Sequence, residues 1–142
     1  MFIIASDHAG FELKNRIKKW FDKKGVKHFD CGADYFDKDD SYVDYAKKAI
    51  EYYQNNCQEN DHLILICGSG VGMNIVANRN SKIRAVLANT KKQAIQAKEH
   101  NNANCLCLGA RNTCFLKAKK IIKAFENTKF LGGKYLERIE NI

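Results

Sequence analysis

The stretch Leu63-Ile64-Leu65-Ile66-Cys67-Gly68-Ser69-Gly70-Val71-Gly72 contains five consecutive apolar residues, a glycine-rich turn, and then residues suited to opening a helix. An unbroken apolar run, rather than an alternating one, is the mark of a strand covered by helices on both faces of a parallel sheet. The turn that follows makes the segment a β–α unit. Shorter apolar runs and amphipathic stretches alternate on either side of it. Residues 2–5, 26–29, 83–88 and 105–108 read as further strands. Helices are expected from about Gly10 to a stop at Gly25, from about Tyr42 past Tyr53, after the glycine turn through Val76, and over 91–99, 115–125 and 134–142. An acidic loop spans residues 34–40. The expectation is a single domain over residues 1–142, a Rossmann-like three-layer α/β/α sandwich with a five-stranded parallel sheet. The default strand order for this count is 2-1-3-4-5.

The 142-residue chain is 45% hydrophobic and 28% charged. This composition excludes a disordered or collagen-like chain, and the longest apolar run is far too short to cross a bilayer. The first residues have no basic region and no small-residue cleavage site, so a cytoplasmic protein is expected. The six cysteines read as buried or reactive thiols in a reducing compartment rather than as disulfides. Their spacing does not favour a metal site. Charge is uneven along the chain. Residues 1–81 hold 11 Lys/Arg and 12 Asp/Glu, and residues 82–142 hold 13 and 4. A positive half attracts anions: nucleic acid, a membrane surface or a phosphorylated small molecule. A solvated lysine-rich helix face is the plain alternative. No recognition helix or RNA-binding signature is present, so neither nucleic acid nor membrane is the expected partner.

In an open parallel sheet, ligands bind beyond the carboxyl ends of the strands where the order reverses, here between strands 1 and 3. Both tips carry reactive residues. Strand 1 runs into Asp7-His8-Ala9-Gly10, and strand 3 ends at Cys67 before the glycine turn. Cys67 precedes a helix N-terminus, whose N–H groups and dipole favour a thiolate able to act as nucleophile or base. A buried structural thiol is the other reading. The turn Gly68 to Gly72, with Ser69, exposes backbone N–H groups to an anion, or is simply a tight strand–helix connection. Taken alone it would be read as a phosphate cradle. Asp7-His8 is either an acid/base couple or a helix cap beside a surface histidine. His100-Asn101, after the fourth helix, is expected at the same sheet edge, with His100 as a general acid or a partner of the helix dipole. Arg111, Lys134 and Arg138 are phosphate ligands or surface charges.

Six ordered motifs resemble the ribose-5-phosphate isomerase B family, which also includes isomerases of allose and galactose 6-phosphates. They are residues 6–14, 67–72, 77–79, 83–85, 100–104 and 109–111, and the resemblance covers essentially the whole chain. It implies reversible conversion of D-ribose 5-phosphate to D-ribulose 5-phosphate through a cis-enediolate, without metal or organic cofactor. A hexose 6-phosphate isomerase is the nearer alternative. By resemblance, Cys67 is the general base and Ser69 the hydroxyl beside it. The N–H groups of Gly68, Gly70, Val71 and Gly72 form the enediolate anion hole. His100, helped by Asp7, opens the sugar ring, and Tyr42 and Asn101 contact the sugar. His8, Arg111, Lys134 and Arg138 face the phosphate. Family members that use a Glu as base carry it on the glycine-loop helix. Residues 72–75 hold no acid, which favours the cysteine subtype. Val43 stands where the family often has Pro, and Lys134 where Arg is common. The resemblance also implies a homodimer or dimer of dimers that completes each site with the neighbour's C-terminal residues.

Overall fold

A computed structural model describes residues 1–58 and 60–142. Five parallel strands form the central layer: β1 Phe2–Ser6, β2 His28–Asp30, β3 His62–Cys67, β4 Ala85–Leu87 and β5 Cys105–Gly109. Six α-helices connect or follow them: α1 Phe11–Lys24, α2 Tyr42–Asn56, α3 Val71–Asn78, α4 Lys91–Asn101, α5 Phe115–Asn127 and α6 Lys134–Glu140. A 3-10 turn, His8–Gly10, precedes α1. Alternate residues of each strand face opposite layers, so two cores form. Ile4, Ile64, Ile66, Leu106 and Leu108 pack with α1, α4 and α5. Ile3, Leu63, Leu65, Cys105 and Cys107 pack with α2 and α3.

The order is β2-β1-β3-β5-β4 rather than 2-1-3-4-5. The chain passes from β3 to the sheet edge to form β4, then returns to insert β5 between them. Burial explains the exchange. The run Cys105–Gly109 is buried throughout, whereas β4 is short and half-buried, as an edge strand can be. The exchange also relocates a helix. Connections between parallel strands are right-handed, so reversing the direction of travel along the sheet moves the connecting helix to the other face. Accordingly Ala94 and Ala97 of α4 pack beside α1 and α5. The reversal point between β1 and β3 is unaffected by the exchange.

The loop after β2 is anchored by a buried ion pair. Lys14 of α1 is 0% exposed, and its Nζ donates to both carboxylate oxygens of Asp30 (2.8 and 2.9 Å) and to the Ala33 carbonyl (2.5 Å). Lys18 reaches the same carboxylate at 2.5 Å. Burial alone would raise the Asp30 carboxyl, but Lys14, Lys18 and the Gly32 N–H hold it below its usual range. Asp30→Ala would strand the Lys14 ammonium in the interior. Urea denaturation at pH 7 is expected to show a loss of about 3–5 kcal/mol. Because the folded carboxyl titrates low, the pair's contribution is present above the ordinary carboxylate range and fades as pH falls through the lowered folded value. The gap between wild type and variant therefore narrows in acid.

Candidate active site

The carboxyl tips of β1, β3 and β5 meet closely. A Cβ at Gly10 would lie 2.5 Å from the Ile66 carbonyl oxygen, and one at Gly109 would lie 2.4 Å from the Ser69 carbonyl oxygen. Only glycine lets the three tips converge on the turn after β3. Gly70 adopts a left-handed φ of 82°, which swings the chain from strand into α3.

Cys67 ends β3 and is 4% exposed. The Gly70 N–H donates to its Sγ at 3.2 Å, an interaction that strengthens when sulfur carries charge. The Val71 N–H donates to Ser69 Oγ at 3.2 Å. The N–H groups of Gly68, Ser69 and Gly72 have no acceptor among the described residues. Together with the N-terminus of α3 they form a positively polarised bend beside the thiol. Four side chains surround it. Arg111, just past β5, lies over Gly68, its guanidinium carbon 2.9 Å from where a Cβ would stand. Tyr42, at the start of α2, lies over Gly72, two ring carbons each 2.6 Å from that residue's Cβ position. Asp7 and His8 come from the tip of β1, whose Asp7 N–H donates to the Ile66 carbonyl at 3.3 Å.

Asp7 is 5% exposed and caps the 3-10 turn, accepting from the Gly10 N–H at 3.0 Å. Burial pushes its carboxyl up, against the pull of that N–H and of His8. A carboxyl moved toward neutral pH is suited to proton exchange. The His8 ring is held by Asp40, the last residue of the acidic loop, at 2.6 Å. The other cysteines differ from Cys67 in setting. Burial pushes Cys31 up to about 11, and contact with Cys105 together with burial pushes Cys107 up. Cys114, before α5, is exposed.

The remaining predicted residues lie elsewhere. His100 belongs to the last turn of α4 and is not at the carboxyl edge. A helix following a parallel strand runs back along the sheet, so α4 ends at the amino edge. There Arg84, which precedes β4, donates to the Asn101 and Asn102 carbonyls at 2.9–3.1 Å. The length of β3 separates the two edges by about 15 Å. His100 stacks on Tyr135 of α6, with ring centroids 4.5 Å apart and planes at 12°. Lys134 and Arg138 lie over the same tyrosine ring at 5.4 and 5.6 Å. One chain thus carries two clusters. Cys67, Ser69, the glycine turn, Asp7, His8, Tyr42 and Arg111 form one at the carboxyl edge. His100, Asn101, Lys134 and Arg138 form the other at the amino edge.

The model of the Ribose/Galactose Isomerase family matches residues 2–142. The chain belongs to the ribose/galactose isomerase family. It is 35% identical over 136 residues to ribose-5-phosphate isomerase B of Escherichia coli, covering 96% of this chain and 89% of that one. Among solved structures it is similar to ribose 5-phosphate isomerase from Thermotoga maritima, with TM-score 0.92, 41% identity, and coverage of 99% of this chain and 94% of that one. It is similar as well to Mycoplasma genitalium ribose-5-phosphate isomerase B with bound ribulose 5-phosphate. There the TM-score is 0.90, with 38% identity and coverage of 99% and 91%.

Two residues of this isomerase's clusters escaped the sequence reading. Asp40 was one of several acids in a loop, and nothing local marks the one that returns to the β1 tip. Tyr135 lies between two expected phosphate ligands, and an aromatic flanked by cations at helical spacing was the available signal. Among the described residues no helix is long and apolar enough to cross a membrane.

Proposed function

We propose that the chain interconverts D-ribose 5-phosphate and D-ribulose 5-phosphate through a cis-enediolate, with Cys67 as the base. The observation that carries this reading is the Cys67 thiol beneath a bend of unpaired N–H groups, enclosed by Asp7, His8, Tyr42 and Arg111, in a chain of this family. Sγ takes the C2 proton as the oxygen on C1 gains charge; the hydroxyl on C2 gives its proton to that oxygen and becomes the carbonyl as Sγ returns its proton to C1. The N–H groups of the Gly68–Gly72 turn stabilise the enediolate. Base and anion hole are each worth about 3–5 kcal/mol in such chemistry. Tyr42 and Arg111 border the turn at its two ends, Gly72 and Gly68, suiting the sugar and the phosphate respectively.

Ring opening needs a second acid/base, and His100 lies at the wrong edge of its own sheet to supply it. The reading is therefore of a homodimer, or dimer of dimers, in which a second copy brings its amino-edge cluster to this Cys67. His100 and Asn101 would reach the sugar, Lys134 and Arg138 the phosphate, and Asp7 would assist from the Cys67 side. Val71 and Ile75, 46% and 54% exposed on α3 next to the turn, offer apolar contact for that copy. A cytoplasmic, unitary domain over residues 1–142 accords with this role.

Turnover of ribose 5-phosphate, allose 6-phosphate and galactose 6-phosphate by the purified chain tests the proposal. The highest kcat/KM is expected on ribose 5-phosphate. A higher value on either hexose phosphate, or no turnover of the pentose phosphate, would overturn it.

A further inference from the structure

His8 and Asp40 are joined more tightly than any other histidine–carboxylate pair among the described residues. The His8 main-chain N–H donates to Asp40 Oδ1 at 3.0 Å, and the ring Nδ1 is 2.6 Å from that same oxygen. A carboxylate oxygen can only accept, so Nδ1 must carry the hydrogen. Two bonds to one oxygen fix both the backbone and the ring plane of His8. The Asp40 side chain is 5% exposed, and its Oδ2 has no partner among the described residues. Phe36 meets the ring edge-on at 6.2 Å. Two carboxylates act on the imidazole: Asp7, its chain neighbour, and Asp40. With Nδ1 committed inward, Nε2 is the nitrogen left for a ligand.

A sugar phosphate above neutral pH is a dianion with acceptors only. A neutral Nδ1–H ring would turn a lone pair toward it. A protonated ring turns an N–H toward it, with Asp40 behind to balance the charge.

Resting on the reading of His8 as a phosphate-side residue, we propose that Asp40 is a positioning residue for phosphate recognition. It holds His8 with Nδ1–H directed inward, so that Nε2 takes up a solvent proton as the sugar phosphate docks and donates to a phosphate oxygen.

The test combines ring-nitrogen NMR of protein labelled with ¹⁵N-histidine with steady-state kinetics at pH 8. NMR samples carry Cys67→Ala to prevent turnover, and the probe is ribose 5-phosphate. The free protein should show the His8 proton on Nδ1, and the complex should show both nitrogens protonated. Asp40→Ala should move the neutral ring toward Nε2–H and abolish proton uptake. In the Cys67 enzyme it should raise KM about 10-fold while kcat stays within about 2-fold. Asp40→Asn keeps an acceptor oxygen and removes the charge. It should retain Nδ1–H and raise KM less, which guards against a misfolded alanine variant. Three results would overturn the proposal: a His8 proton on Nε2 in the unmodified protein, a tautomer unaffected by Asp40→Ala, or a loss confined to kcat. Absence of ribose 5-phosphate turnover in the unmodified chain would instead strike the functional reading, leaving the tautomer assignment to stand or fall separately.

Discussion

Cys67→Ala is expected to lower kcat on ribose 5-phosphate by about 10³-fold while KM changes little, the magnitude of losing a positioned general base. Other groups that could take the C2 proton are absent or already engaged. α3 carries no carboxylate in its first turn, so the position from which a glutamate could act is empty of acids. Asp7 is near, but its carboxyl is tied to the Gly10 N–H and pushed toward the protonated form by burial. Removing the sulfur leaves the N–H groups of the bend and the proposed phosphate ligands in place, so binding is expected to survive. A thiol that merely filled space would behave differently. Its loss would lower the urea midpoint and leave kcat near wild type. Alkylation separates the readings further, provided that Cys114 is first replaced by serine. That thiol is exposed at the start of α5 and will react alongside Cys67. In a Cys114→Ser background, iodoacetamide should modify Cys67 at a rate slowed by ribose 5-phosphate. Substrate-insensitive labelling spread over several cysteines would count against an accessible thiolate at the site.

The parts of this molecule legible from sequence are those fixed by local chemistry. Residues 63–72 announce a buried strand, a tight turn and a helix start, and all three are present. The reactive tips of β1 and β3 were placed by the general rule for parallel sheets, and they adjoin the reversal point as expected. Strand order was misread because it depends on which strand the final sheet buries, a competition between distant segments. Even so, the unbroken Cys105–Gly109 run against Arg84-flanked β4 held the clue. The position of His100 was a different kind of error. The alternation of strand and helix direction already requires α4 to end at the amino edge, and that rule overrides proximity of motifs in the sequence. Asp40 was illegible for a third reason. Its partner is 32 residues away, and only the closed loop between β2 and α2 brings the two together.

Mixing two inactive variants, Cys67→Ala and His100→Ala, should restore activity that neither shows alone. The sheet is rigid, and about 15 Å of it separates the two side chains within one chain, far more than an imidazole can span by changing rotamer. If both act on one sugar, they come from different copies in a symmetric pair. In a dimer of one Cys67→Ala chain and one His100→Ala chain, one site then joins an intact Cys67 to an intact His100, and the other site has lost both. Random exchange makes half of the dimers mixed, so the recovered turnover should approach about a quarter of the wild-type value. Recovery should rise with the time allowed for subunit exchange and disappear on dilution below the dimer's dissociation constant. If each chain were a complete enzyme, the mixture would show only the sum of its two residual activities at every concentration and time. That result would remove His100 from the reaction as proposed. It would leave the amino-edge cluster of His100, Tyr135, Lys134 and Arg138 in need of another role, while the chemistry assigned to Cys67 would rest on its own variant.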